Sequence, residues 1–206
     1  MKTDVLNSDH PSAIKHAVDV LKNGGLVAFP TDTVYGLAAP FDNEESIDRL
    51  YIVKGRNSAK AISILLGSCA ELDLLTAHIN ENALKLARAF WPGPLTLVVP
   101  RHPDLSRHLA PELTIGVRMP DHPIALALLK KAGPLAVTSA NRSGEENPLT
   151  AGDVLAQLEG RIHLVLNGGQ TPGGVPSTVI DCTSLEVTIL REGPISQNSI
   201  HDVLTV

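Results

Sequence analysis

Apolar and polar positions follow two different periods along this chain. Over residues 13–21 the apolar side chains recur every three to four positions, which predicts an amphipathic helix that ends before Gly24 and Gly25. The same period predicts further helices. They cover residues 44–53, 81–90, 121–132, 151–158 and 197–204. Thr150 followed by Asp153 is a typical start for the fifth of these six helices.

Short apolar runs between turn-forming residues predict strands. They cover residues 26–29, 62–66, 95–99, 114–119, 135–139, 163–167, 177–181 and 187–191. Strands and helices alternate irregularly, and the last third of the chain is rich in strands, so a mixed sheet is favoured over a purely parallel one. The pattern shows no internal repeat and no linker. We therefore predict a single α/β domain over residues 1–206.

Composition and charge narrow the class of protein. The chain has 206 residues, 43% of them hydrophobic and 19% charged, as in ordinary soluble domains. No apolar run reaches the roughly 18 residues of a membrane span, and the polar N-terminus does not resemble an export signal. Cys69 and Cys182 form no CxxC pair. We expect a cytoplasmic protein that binds no membrane, and the net charge of −5 disfavours general attraction to nucleic acid.

Several common enzyme motifs are missing from the sequence. It contains no GxxxxGK[ST] phosphate loop, no GxGxxG fingerprint and no GxSxG nucleophile elbow. The eight histidines are scattered without the spacing of metal ligands. A serine hydrolase and a protein-held metal centre are therefore disfavoured.

Polar clusters stand instead at the ends of the apolar strands. They are Pro30-Thr31-Asp32-Thr33, Lys54-Gly55-Arg56 with Lys60, Thr114 with Arg118, residues 138–144, residues 176–178, and Arg191. Ligands of open α/β sheets bind beyond strand ends. Several cations suit a polyphosphate or a carboxylate, and hydroxyls with asparagine suit an amine or a sugar. The clusters together favour a binding site for an anionic ligand.

Each cluster also has a purely structural interpretation. The PTDT segment is equally typical of a turn that binds its own backbone, and KGRNSAK of a solvated loop. Arg118 lies inside an apolar strand and needs a partner, which could be a fixed carboxylate such as Asp121. Residues 168–174 read most simply as a flexible loop.

Six motif blocks carry a resemblance to a known family. PTDTVYGL, KGR with a lysine four residues on, GVRMPDHP, TSANRSG, PSTVID and LREG, in this order, resemble the YrdC-like threonylcarbamoyl-AMP synthases over about residues 14–193. The resemblance implies a twisted mixed parallel and antiparallel sheet flanked by helices, with a large cationic cavity. It also implies an enzyme that converts L-threonine, bicarbonate or CO2, and ATP into threonylcarbamoyl-AMP and pyrophosphate, for threonylcarbamoyladenosine modification of tRNA.

The resemblance assigns roles to matched residues. The L-threonine site would use Thr33, Arg118, Ser139 and Ser177. The ATP site would use Arg56, Lys60, Thr114, Asn141, Thr150 and Arg191. The catalytic residues would be Lys54, Arg56, Ser139 and Asn141. Mg²⁺ is expected with the nucleotide, held by phosphates and waters rather than by protein side chains.

Two departures and two alternatives remain at this point. Leu65 occupies the stretch where some relatives carry a pocket histidine, and longer relatives add a C-terminal domain. We therefore expect the short, single-domain form, which would depend on separate proteins to transfer the threonylcarbamoyl group to tRNA. The alternatives are a paralogue with another carbamoyl or adenylyl transfer role, and a non-catalytic RNA-binding module. The 3% aromatic content disfavours the RNA-binding module, and weak tRNA binding is left open.

Overall fold

The computed structural model describes residues 2–110 and 112–205. Its strands are β1 Asp4–Asn7, β2 Val27–Phe29, β3 Gly36–Pro40, β4 Ser63–Leu65, β5 Leu95–Pro100, β6 Thr114–Arg118, β7 Leu135–Ser139, β8 Leu164–Asn167, β9 Thr178–Asp181 and β10 Thr188–Arg191. Its α-helices are α1 Ala13–Lys22, α2 Glu44–Lys54, α3 Glu81–Phe90, α4 Pro123–Ala132, α5 Ala151–Leu158 and α6 Gln197–Thr205. A 3-10 helix covers Cys69–Leu74.

Every predicted helix and strand is confirmed, with ends that differ by no more than two residues. Two strands were not predicted. β1 is an edge strand whose side chains are mostly exposed, so it lacks an apolar pattern. β3 reads GLAAP, and its glycine and alanines carry little of the β-branched signal that marks a strand.

The ten described strands form one sheet in the order β1-β8-β2-β3-β7-β4-β6-β5-β9-β10. Four neighbouring pairs are parallel, namely β1 with β8, β2 with β8, β4 with β6 and β5 with β9. The other pairs are antiparallel. The predicted mixed sheet is therefore confirmed. None of the helices in the described part of the chain has both the length and the apolar character needed to cross a membrane.

The two faces of the sheet are covered unequally. Helices α2, α3, α5 and α6 contribute to the apolar core on one face, and α1 with α4 contributes to the smaller core on the other. Successive side chains of a strand point to opposite faces. On β6, Val117 therefore lies in the larger core, whereas Gly116 and Arg118 point to the face that α1 and α4 only partly cover. A cavity occupies the remainder of that face.

Candidate active site

The cavity has a volume of about 200 Å³ and lies over the central strands. Its lining is contributed by turns and strand ends far apart in sequence. The polar lining residues are Thr31, Thr33, Arg56, Ser63, Thr96, Arg118, Thr138, Ser139, Asn147, Ser177 and Arg191. Among the described lining residues three are arginines and none is a carboxylate, so this part of the surface favours an anionic ligand.

The turn between β2 and β3 both binds its own backbone and lines the cavity. The Thr31 hydroxyl donates to the Val34 carbonyl at 2.7 Å, and its oxygen accepts from the backbone N–H of Thr33 at 3.2 Å. Since the single Thr31 proton is used in this way, the 3.0 Å contact between the two threonine hydroxyls must be donated by Thr33. Thr33 therefore offers only oxygen lone pairs to other groups, which suits a ligand that carries N–H or O–H donors.

Arg118 is 6% exposed and lines the cavity at the end of β6. Its Nε donates to the Gly93 carbonyl at 3.0 Å, its Nη1 to the Thr33 hydroxyl at 3.1 Å and its Nη2 to the Asp32 carboxylate at 2.5 Å. Burial lowers the pKa of Arg118, and the Asp32 charge opposes that shift. The fixed carboxylate partner is thus Asp32, and the alternative that named Asp121 for this contact is wrong.

Ser139 faces the cavity from the end of β7, and two of the predicted residues lie behind it. The Ser139 hydroxyl donates to the Asn141 side-chain oxygen at 2.5 Å, and Asn141 Nδ2 donates to the Glu145 carbonyl at 2.7 Å. Both side chains are therefore held in one orientation. Because its proton goes to Asn141, Ser139 also presents lone pairs to the cavity.

Lys54 ends α2 and is buried, with 2% of its surface exposed. Its Nζ donates to the backbone carbonyls of Ser139 and Asn141, and it lies 3.4 Å from the Asn141 side-chain oxygen. Burial, with a contribution from Arg56, lowers the pKa of Lys54 to about 7. Lys54 and Asn141 are absent from the described cavity lining and support the segment that carries Ser139.

A third group of polar side chains closes the cavity at β5 and β9. The Thr96 and Ser177 hydroxyls lie 2.8 Å apart, and Arg191 donates from Nε and Nη2 to the Ser177 carbonyl at 3.0 and 2.9 Å. Gly116 leaves room beside this group, because a Cβ atom there would lie 3.2 Å from Thr96 Cγ2 and 2.9 Å from the hydroxyl oxygen of Ser63, which also lines the cavity. Sequence reasoning missed Ser63, Thr96 and Asn147. For Ser63 and Thr96 the only available signal was that each polar residue interrupts an apolar strand.

The predicted ATP residues are not all brought together. Arg56 lines the cavity and donates from Nη2 to the Ala61 carbonyl at 2.9 Å. The described cavity lining does not include Lys60, Thr114 or Thr150. The Lys60 side chain is exposed, and Thr150 caps α5 by accepting from the Asp153 N–H at 3.2 Å. Their nucleotide contacts stay predictions.

The comparisons with known proteins agree on one family. The Sua5/YciO/YrdC family model, described as "Telomere recombination", matches residues 19–193. The threonylcarbamoyl-AMP synthase of Bacillus subtilis is 41% identical over 205 residues, which is 98% of this chain and 59% of that protein. The chain thus spans somewhat under two thirds of this relative's length.

Two solved structures have the same fold. Pyrococcus abyssi Sua5, crystallised with L-threonine, superposes with a TM-score of 0.90 at 41% identity, over 92% of this chain and 56% of that one. Escherichia coli YciO superposes with a TM-score of 0.85 at 26% identity, over 97% and 98% of the two chains. These likenesses agree with the sheet described above, and this chain belongs to the Sua5/YciO/YrdC family.

Proposed function

We propose that this protein is an L-threonylcarbamoyl-AMP synthase. One observation carries the proposal. Thr33, Arg118, Ser139 and Ser177, the four residues assigned to threonine from separate motif blocks, line the same cavity. A relative of the same fold is known with L-threonine bound, which supports an amino acid as the occupant.

The polarity of the cavity fits an amino acid. Arg118 supplies N–H donors for a carboxylate, and a planar guanidinium can hold both carboxylate oxygens. Thr33 and Ser139 act as acceptors because their protons are used within the protein, and Thr33 keeps one lone pair beside the one that accepts from Arg118. They therefore suit the amine and the hydroxyl of threonine, which carry hydrogen-bond donors.

The reaction then needs little covalent help from the protein. The neutral threonine amine bonds to the carbon of CO2 and releases one proton to water, which gives a carbamate. A carbamate oxygen attacks the α-phosphorus of ATP, and the bond to the β,γ-pyrophosphate breaks. Positioning and neutralisation of charge dominate such phosphoryl chemistry. We assign charge neutralisation to Arg56 and Arg191. They are the two arginines of the described cavity lining besides Arg118, which is assigned to the threonine carboxylate.

Mg²⁺ is proposed to accompany ATP. The donors in the described lining are arginines, hydroxyls and an amide, and these suit the second shell of a hydrated ion better than the direct coordination of Mg²⁺. We therefore place the ion on the phosphates and waters. When bound, it would stabilise the developing negative charge of pyrophosphate.

The product is a reactive mixed anhydride, so we propose that tRNA threonylcarbamoyl transferase proteins consume it. Direct contact with tRNA is a separate question. Measuring tRNA affinity over a range of salt concentrations, beside ATP turnover, separates an enzyme from an RNA-binding module, because binding through phosphates weakens steeply with salt.

We expect pyrophosphate release only when L-threonine, bicarbonate and ATP are all present. The nucleophile does not exist until the carbamate forms, so omission of either small substrate should abolish release. Pyrophosphate assays with each substrate omitted in turn test this. Equal release without threonine would contradict the proposed function. Serine should be a poorer substrate by a modest factor, since one buried methyl contributes about 1–3 kcal/mol.

Arg56→Ala is expected to raise the KM for ATP by about tenfold, because the variant loses one charge-assisted hydrogen bond to the phosphates. The fold should persist, because Arg56 lies on a loop and is only half-buried. Lys60→Ala is the matched variant on the same loop. Its side chain is exposed, so we expect a smaller effect. Steady-state kinetics with varied ATP measure the KM of both variants. Arg56→Ala kinetics equal to those of the parent would mean that this loop is only solvated and does not bind ATP.

A further inference from the structure

We propose that Asp32 is a positioning residue for Arg118. Its carboxylate holds the guanidinium through an ion pair, so that the remaining N–H groups point at the substrate carboxylate. This inference rests on the proposed function, and it concerns a residue that the family resemblance did not assign. Asp32 lies between the two cavity-lining threonines of the PTDT turn, but it is not itself in the described cavity lining.

Asp32 contacts Arg118 but is absent from the described lining of the substrate cavity. Asp32 lines a second, mostly apolar cavity together with Phe90, Pro94 and Asp121. Arg118 lines the first cavity and not the second. The Asp32 carboxylate therefore binds Nη2 of Arg118 without lining the first cavity, so it does not occupy the space that a ligand would take there.

The donors of Arg118 can be counted. A guanidinium has five N–H groups. Three are used, by the Gly93 carbonyl, the Thr33 hydroxyl and the Asp32 carboxylate. Within the described residues the other two, one on each terminal nitrogen, have no partner. Two N–H groups on neighbouring nitrogens match the two oxygens of a carboxylate.

The position of Asp32 is otherwise hard to explain. Its side chain is 11% exposed, and its only polar contact among the described residues is Arg118. The second carboxylate oxygen, Oδ2, is buried and has no described hydrogen-bond partner. A buried carboxylate with an unsatisfied oxygen is costly, so a residue that served the fold alone would be better replaced by an apolar one. The function of Asp32 is therefore transmitted through Arg118.

Asp32 also controls the charge of the site. Without it, a nearly buried guanidinium would stand uncompensated whenever the cavity is empty, and its side chain could swing toward water. With it, Arg118 is ordered before the substrate arrives. Less side-chain freedom is then lost on binding, which favours affinity.

The experiment compares the parent protein with Asp32→Ala, Asp32→Asn and Asp121→Ala. The last is the matched control, because Asp121 lines the same second cavity and makes no described contact with Arg118. The first measurement is the ¹⁵N–¹H heteronuclear NOE of Arg118 Nε, assigned with an Arg118→Lys sample, which reports side-chain order without any substrate. The second is the pair of KM values for threonine and ATP, together with kcat.

We expect Asp32→Ala to lower the NOE of Arg118 Nε below that of the parent, because the Gly93 and Thr33 contacts alone then hold the side chain. We also expect the KM for threonine to rise by about tenfold or more, with the KM for ATP within about twofold of the parent. Asp32→Asn keeps the shape and one acceptor, so it should restore part of the order and part of the affinity. Asp121→Ala should match the parent in both measurements.

An Nε NOE in Asp32→Ala equal to that of the parent would overturn the proposal, and so would an unchanged or lower KM for threonine. A lower KM would mean that Asp32 competes with the substrate for Arg118. The two proposals can fail separately. Loss of Arg118 order in Asp32→Ala would support the positioning role even if the parent did not use threonine, and that failure would refute only the proposed function.

Discussion

Arg118→Lys is expected to weaken threonine binding by a factor that corresponds to about 1–3 kcal/mol, roughly 5- to 150-fold. Lysine keeps the positive charge, but a single ammonium cannot reach Gly93, Thr33 and Asp32 and still present two parallel N–H groups to a carboxylate. ATP binding should change far less, because Arg56 and Arg191 remain in the cavity. Calorimetric titration with threonine and with ATP measures both affinities.

The same variant separates a binding role from a purely structural one. Because Arg118 has the fixed partner Asp32, the lysine variant should also melt at a lower temperature than the parent. Arg107→Lys, at an exposed position, is the control for the exchange of arginine for lysine. A lower melting temperature with unchanged threonine affinity would mean that Arg118 only braces its strand.

Lys54→Met is expected to lower the free energy of unfolding by about 3 kcal/mol. Methionine fills much of the buried volume, but it leaves the carbonyls of Ser139 and Asn141 without their donor. The segment that carries Ser139 should then shift, so activity should fall even in molecules that are folded. Urea denaturation measures the loss, with Lys15→Met on the exposed side of α1 as the control.

The effect of Lys54→Met should depend on pH. The folded protein binds the Lys54 proton with a pKa of about 7, below the ordinary value of 10.5. Between these values the unfolded chain binds more protons at this site, so the contribution of Lys54 to stability rises as pH increases from 7 toward 10.5. The difference in unfolding free energy between parent and variant should therefore grow over that range. A constant difference would mean that the oxygens around Nζ restore an ordinary pKa.

Much of the fold could be predicted because its elements are locally encoded. The helix of residues 81–90 and the strand of residues 135–139 have the predicted ends, since apolar periodicity and turn residues agree there. β3 could not be predicted in this way. It pairs with the preceding strand β2 on one side and with the distant strand β7 on the other, and the long-range pairing with β7 leaves little trace in a GLAAP segment.

The candidate site divides in the same manner. The residue types of the PTDT turn, of the strand with Arg118 and of the segment with Ser139 were recognisable along the chain as polar breaks in apolar strands. The proton arrangement was not recognisable. Thr33 and Ser139 become acceptors toward a ligand only because their hydroxyl protons go to Thr31 and Asn141.

The sequence by itself determined the α/β class, the places where strands end in polar residues, and the presence of an arginine that needed a partner. Only the tertiary structure decided that this partner is Asp32 and not Asp121. It also decided that Lys54 donates to the Ser139 carbonyl and that Thr96 lies beside Ser177. The physical reason is range. Periodicity and turn chemistry act over a few neighbouring residues, whereas these contacts join segments 81 or more residues apart, which only sheet order and register bring together.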